Sequence, residues 1–439
     1  SDSFSSNIGI LTGDPASPHL WNIFFSDLYI PSHPADISLN NSYISHLEQA
    51  DNIVIFSTSP TTLQIKLNNI ISWCSKNFLQ INHSKTVAQV FGNTTIKPTF
   101  SIDSNILNYV DKFLYLGIIF DSSQNNIFHS HYSNKASKAR SITHTILALE
   151  SHISIIPPKQ GIQLYFARID PHLIYTCEST PDTNKKCLFL LQSVQHTFLR
   201  RLLGLNPRSL LTPLFTETGL LPIQFRQTIL VLNYLIYLLQ LPPSHFAFFA
   251  LQESIQLYNN KHYSWYGDLL INLSNTTSDN TLQIPNLHTS HKIVSQFIKT
   301  VKKSCYNTLN NSLLSSTQTT LIKDRHEFNK KNQPILKIIH FRHYLGVTIP
   351  EHRIAFTRLL LSDYILALVQ LARTTSNRHG SIPQHKRLCR FNCNKIEDPI
   401  YTLFQCQNSE ISKLRQDFLL CTPSPPPLLE EDYYLALFS

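Results

Sequence analysis

The chain has 439 residues, 42% of them hydrophobic, and its Lys and Arg outnumber Asp and Glu by 37 to 28, a formal charge of +9. That length predicts two or three domains with buried cores, and eight cysteines are too sparse for a disulfide-stapled scaffold. The basic balance favours a polyanionic partner, although a modest excess also serves solubility alone.

No secretory signal opens the sequence, and the longest nearly apolar run, Ile229 to Leu241, is broken by Asn233 and too short to span a bilayer. The expectation is an intracellular protein, nuclear or cytoplasmic, in a reducing compartment and without a membrane partner. The sequence contains no Met and begins at Ser1, so it reads as a piece of a longer frame.

In chain order, Gly9, Gly13, Pro15 and Pro18 punctuate a loop, after which apolar residues at 20, 21, 24, 25 and 28 repeat at helical spacing. Two short arms, Ile44 to Leu47 and Ile53 to Phe56, flank an Asp51-Asn52 corner and predict a β-hairpin. Such a corner holds a carboxylate at the tip of a rigid ribbon, where it could bind a metal ion; this stretch alone favours an Asp that merely suits the turn. Ser59 followed by Pro60 is a helix start, and Leu63, Leu67, Ile70, Ile71 and Cys74 mark one face of a helix running to about Phe78. Lys85 to Phe91 and Lys112 to Phe120 read as strands. Helix and strand alternating in this way predict an α+β domain with an antiparallel sheet.

Beyond Phe128 the patterns are helical. Lys135, Lys138 and Arg140 fall on successive turns, and the stripe Leu191, Val194, Phe198, Leu202 ends at Gly204 with Arg200, Arg201 and Arg208 nearby. Those cations could meet phosphate, or could face solvent and stabilise a helix C-terminus. Pro222 opens a very apolar helix. Asn272 to Ser290 reads as a linker, helical patterns resume over 291–375, and the Pro-rich tail from Thr422 reads as extended.

The order of these motifs resembles the reverse transcriptase of non-LTR, LINE-type retrotransposons. Gly9-Ile10-Leu11-Thr12-Gly13-Asp14-Pro15-Ala16-Ser17-Pro18 is similar to that family's G-x-x-Q-G-D-P-x-S-P loop, with Thr12 in place of Gln. Gln49-Ala50-Asp51-Asn52 stands where the family has Ala-Asp-Asp. Asn82-His83-Ser84-Lys85-Thr86 resembles the following block, and Tyr115-Leu116-Gly117 resembles the primer grip. Tyr165 to Arg168 and Glu217 to Pro222 look like the helical region beyond the polymerase.

The resemblance implies a partial polymerase palm and primer-grip-like hairpin over 1–124, a thumb and helical region over 125–270, a linker over 271–290, more helix over 291–380, a degenerate Cys-rich knuckle over 381–421 and a tail. It implies an RNA template and a DNA primer as partners. It assigns the nucleotide and template loop to Gly9, Thr12, Gly13, Asp14, Pro15, Ser17 and Pro18, and the primer grip to Tyr115, Leu116 and Gly117. Asp51, a degenerate Asn52 and Lys85 fall at catalytic positions.

In such polymerases two Mg²⁺ ions about 4 Å apart activate the attacking oxygen and stabilise the leaving pyrophosphate. Three Asp carboxylates hold them. Here Asp51 matches one, Asn52 offers a neutral amide in place of another, and the third falls in a segment before this sequence begins. The chain is therefore expected to be inactive as a polymerase.

Cys389, Cys393 and Cys406 resemble a knuckle that in these elements binds Zn²⁺, with Tyr401 in the His slot and His385 or Cys421 as substitutes. The expectation is a metal-free remnant, with bound Zn²⁺ the alternative. Competing functional readings are a nucleic-acid-binding module that has lost catalysis and a structural or interaction protein.

Overall fold

In a computed structural model, the residues described are 10–420 apart from 11–12, 40–41, 93, 95–96, 182, 277–283, 285, 317, 324–325, 329–332, 365, 367–374 and 377–379. The Pro-rich tail and Cys421 lie outside them. The chain is α+β and falls into two compact units, residues 1–131 with 240–266 and residues 132–239 with 267–439.

The first unit begins with helix α1 (Ser17–Phe25), which the loop around Gly13 precedes. Strands β1 (Ile37–Leu39) and β2 (Ser42–Ile44) pair antiparallel, as do β3 (His46–Gln49) and β4 (Asn52–Ile55). Helix α2 (Pro60–Lys76) starts where Ser59 accepts a hydrogen bond from the Thr62 amide, with Pro at its first position. It stops before Phe78, which lies past the helix at φ 58° and almost fully exposed, so the apolar stripe ends at Cys74.

Strands β5 (Val87–Ala88), β6 (Ser101–Ile102), β7 (Asn105–Ile106) and β8 (Asn108–Tyr109) follow, with β5 parallel to β8 and β6 antiparallel to β7. The single strand expected over Lys112 to Phe120 is a hairpin, β9 (Lys112–Tyr115) and β10 (Ile118–Asp121). It turns at Leu116-Gly117, where φ is 47° and 85°. Two consecutive positive φ angles give the mirror-image turn whose twist matches flanking strands, and glycine takes the second without strain.

The expected single antiparallel sheet is not formed. Among the described residues every sheet has two strands. The ribbons cohere through side chains instead. Phe25, Leu28, Ile30 and Ile70 form one core with Ile53 and Ile55 packed on it; Leu67, Phe100, Ile102 and Leu107 form another that Ile55 and Ala88 join. Ile55 belongs to both, so β4 is the seam between α1, α2 and the later ribbons.

Helix α3 (His129–Ala148) leads into α4 (Glu150–Ile153), α5 (Pro158–Leu164), a π-turn at Tyr165–Ile169, and α6 (Asp170–Ile174). Helix α7 (Lys185–Leu202) buries Leu191, Val194, Phe198 and Leu202, the stripe expected from the sequence. Tyr165 stacks on Phe198 and accepts a hydrogen bond from Gln195 at 2.9 Å. Helix α8 (Thr212–Thr218) ends at Gly219, φ 77°, where a side chain would meet the Phe341 backbone.

Helix α9 (Ile223–Gln240) buries Val231, Leu232, Leu235 and Leu238, and its Arg226 grips Asp170 with contacts of 2.5–2.9 Å. Helix α10 (Phe246–Asn259) belongs to the first unit, and α11 (Trp265–Thr276) carries helix into the stretch expected as a linker, with Asn272 buried and bonded to Thr228. The second unit continues with α12 (His291–Ser315), β11 (His326–Phe328), β12 (Pro334–Leu336), α13 (Pro350–Leu360), β13 (Thr375–Ser376), β14 (Gly380–Ser381) and α14 (Ser409–Leu420). No described helix is long and apolar enough to cross a membrane.

Candidate active-site hairpin and cysteine cluster

The β3–β4 hairpin places its turn at Ala50-Asp51, one residue earlier than expected, because Gln49 pairs with Asn52. Of the two turn residues Ala50 has positive φ, 53°, a conformation that disfavours a β-carbon. Asp51 is thus the exposed tip. Asn52 belongs to the strand, and its amide donates to the Asp51 carboxylate at 3.2 Å. Where a second carboxylate would add an anion, the amide spends its N–H on the first.

The root of the hairpin is built from a residue that sequence reasoning missed. Lys66 of α2 is fully buried; its ammonium donates to the Asp36 carboxylate at 2.5 Å and to the carbonyls of Ser45 at 3.0 Å and Phe56 at 2.8 Å. All three ammonium protons therefore have an acceptor. Ser45 and Phe56 flank the two strands, so one cation ties both arms to α2. Asp36 also accepts from the His33 amide at 2.8 Å. The signal was present in the sequence: Lys66 sits between Leu63 and Ile70 at helical spacing, on the apolar face. Burial holds the His46 imidazole below its ordinary range, Lys66 adds to this and Glu48 opposes it.

Mg²⁺ does not fit the tip. Among the described residues, no group of three acidic, His or Cys ligands includes Asp51, and a single exposed carboxylate beside an amide is a poor match for hard, oxygen-ligated ions.

Gly13 takes φ 91°, and the Asp14 carboxylate accepts from the Ala16 amide at 2.8 Å, which shapes the entry to α1. Pro15 is in the turn, Ser17 is buried, and Pro18 lies in the first helical turn. Gly9 and Thr12 lie outside the described residues. Lys85, expected in a strand, is exposed in a turn that Asn82 organises through its carbonyl and side chain. In the β9–β10 hairpin Leu116 is half exposed at the turn, while Tyr115 is half-buried beside it.

Of the expected basic face on α3, Lys138 and Arg140 are exposed but Lys135 is buried against the Tyr132 ring, 4.8 Å from its centre. Arg200 folds onto Ser209, bonding its hydroxyl and carbonyl, whereas Arg201 and Arg208 are exposed.

The second candidate is brought together more tightly than the first. The sulfurs of Cys389, Cys393 and Cys406 all lie within 4.8 Å of one another, with Cys389 and Cys406 buried. His385 is exposed and outside the group. Cys389 and Cys406 are 3.9 Å apart. A tetrahedral zinc centre with bonds of about 2.3 Å places its sulfurs about 3.8 Å apart, so the geometry fits that ion.

A knuckle of backbone bonds holds the first two cysteines: Cys389 donates to Lys395 at 2.8 Å, and Asn392 and Asn394 take positive φ. Arg390 closes it on the buried Glu397 at 2.6 Å. A π-turn, Tyr401–Gln405, then carries Cys406 back, and the Cys406 amide donates to the Tyr401 carbonyl at 2.7 Å.

The first unit combines helices with short β-ribbons and presents the exposed Asp51 carboxylate at a β-turn. Residues 3–120 match the family model described as Reverse transcriptase (RNA-dependent DNA polymerase). This part of the chain is related to reverse transcriptases; it runs from before the glycine loop to the end of the β9–β10 hairpin. No curated protein matches the chain.

Proposed function

We propose that this chain derives from the reverse transcriptase of a non-LTR, LINE-type retrotransposon, that residues 3–120 hold part of its palm, and that this polypeptide does not polymerise DNA. The family match supports the ancestry. The observation that carries the loss of activity is the hairpin tip, where Asp51 is hydrogen-bonded by the Asn52 amide and joins no cluster of metal ligands among the described residues. Two-metal phosphoryl transfer needs carboxylates that neutralise and space both ions, and one carboxylate does neither.

Primer extension on an RNA template with Mg²⁺ or Mn²⁺ tests this: no product is expected, and template-dependent incorporation of deoxynucleotides would overturn it. Asn52→Asp alone is expected to remain inactive, since the tip joins no cluster of metal ligands among the described residues.

A second reading, nucleic-acid binding without catalysis, is favoured by the exposed Lys138, Arg140, Arg201 and Arg208. It requires binding to an RNA–DNA hybrid whose affinity falls steeply with salt. Salt-independent or undetectable binding at low ionic strength would leave a structural role.

A further inference from the structure

We infer that the outward face of α1 is a self-association surface, on which the chain pairs with a second copy of itself. This does not rest on the polymerase ancestry proposed above. Helix α1 turns Ser17, Trp21 and Phe25 toward the interior, with Trp21 and Phe25 in the core shared with α2. Positions 20, 23 and 24, three and four residues apart, fall together on the opposite side. On a solvated helix that side is polar. Here it is Leu20, 53% exposed, Ile23, 70%, and Phe24, 39%.

Helix α2 extends the patch. The Phe24 ring meets the Trp73 ring edge-on at 5.6 Å. Phe78 lies one turn past Trp73, whose carbonyl accepts from the Asn77 amide, and is 97% exposed. Leu20, Ile23, Phe24 and Phe78 together leave about 500 Å² of apolar side chain in water, near the upper end for the surface of a monomer. Two copies meeting on this face bury about 1,000 Å² in total, the size at which specific interfaces begin.

Charge identifies the occupant. The chain carries a formal +9, so most approaches of one copy to another are opposed by repulsion. From Ser17 to Phe25, α1 has no Asp, Glu, Lys or Arg. Beside it stand one acid and one base: Asp27, which accepts from the Trp73 indole N–H at 2.9 Å, and the exposed Lys76 of α2. In an isologous pair a face meets its own copy. A face with net charge repels itself there, and this one has none. A polyanion, by contrast, finds no cation on α1.

The test is sedimentation velocity on the full chain over a series from about 1 to 100 μM, the affinity range suited to an interface this small. A monomer–dimer equilibrium is expected, and sulfate should tighten it, as it does apolar burial. Ile23→Glu places a carboxylate from each copy in the contact. It should raise the dimer dissociation constant more than about a hundredfold, with the urea unfolding midpoint unchanged because Ile23 lies outside the core. Leu114→Glu alters a similarly exposed apolar residue of β9, outside both cores of the first unit, and should leave the equilibrium as it was. A chain that stays monomeric throughout the series overturns the proposal and leaves the face to a different polypeptide. Association that Ile23→Glu leaves intact, or that Leu114→Glu weakens equally, overturns it as well.

Discussion

Replacing Lys66 with methionine keeps the length of the side chain and deletes its charge. In the parent the ammonium satisfies the buried Asp36 carboxylate and the carbonyls of Ser45 and Phe56. Afterwards Asp36 keeps the His33 amide but loses its counter-ion, and Phe56 loses the cation on its carbonyl. Breaking a buried ion pair from one side costs about 3–5 kcal/mol, because the remaining charge stays desolvated. With a urea dependence of roughly 2 kcal/mol per molar, the unfolding midpoint should fall by about 2 M.

Tryptophan fluorescence reads this unit in isolation, since Trp21, Trp73 and Trp265, the chain's three tryptophans, all belong to it. Trp21 and Trp73 pack directly on the core that Ile53 and Ile55 of the hairpin share. The double variant Lys66→Met with Asp36→Leu should recover most of the loss, as apolar replacement of a whole buried pair is often neutral. A midpoint for Lys66→Met within about 0.5 M of the parent, or a double variant no better than the single, would refute the clamp.

Three further outcomes are expected. Burial opposes ionisation of Asp121, yet hydrogen bonds from Ser123 and Ser130, with Lys112 at 3.4 Å, hold its carboxyl down to about 2 from 3.8. A depressed folded value stabilises above the unfolded value and is lost on acidification. Asp121→Asn should therefore cost about 2 kcal/mol at neutral pH and remove part of the decline in stability between about pH 4 and 2, read by tryptophan fluorescence.

Burial alone pushes the Asp268 carboxyl up to about 6. The folded form then holds its proton more tightly than the unfolded one, so stability falls as pH rises from about 4 to 6. Asp268→Asn should be more stable than the parent at pH 7 and equal to it below about pH 4, measured by the helical circular dichroism signal. Asn52→Asp should shift stability by no more than about 0.5 kcal/mol, as expected for an exposed site; a larger loss in urea titration would show that the Asn52–Asp51 hydrogen bond supports the hairpin.

Where one helix face supplies the core, the sequence was easy to read. The stripe of α7 is buried as expected, and Ser59-Pro60 starts α2, since cap and period act locally. Local rules also explain the errors. The Asp51-Asn52 pair has better turn chemistry than Ala50-Asp51, yet register is fixed by Ile53 and Ile55 reaching the core, and the tip moved one residue to allow it. The run 112–120 has strand propensity throughout, and only Gly117 marks the fold-back. The ring under Lys135, Tyr132, lies one turn back on the same helix and could have been read from spacing, whereas the aspartate that Lys66 neutralises is thirty positions away and is not visible from helical spacing.

The two candidate sites differ in how their chemistry is tied to their fold. At the hairpin the supporting residues, Lys66, Ile53 and Ile55, are buried or half-buried and fix the shape, while the residues at the chemical end, Asp51 and Asn52, are exposed, with the Asn52 amide bonded to the Asp51 carboxylate. An acid at position 52 can therefore become an amide without disturbing the scaffold, and the hairpin persists whether or not it binds metal. In the cysteine cluster the thiols are themselves part of the core: Cys389 and Cys406 form its buried centre with Tyr401, and Cys393 and Ile411 pack on it. A substitution there alters ligand and packing together.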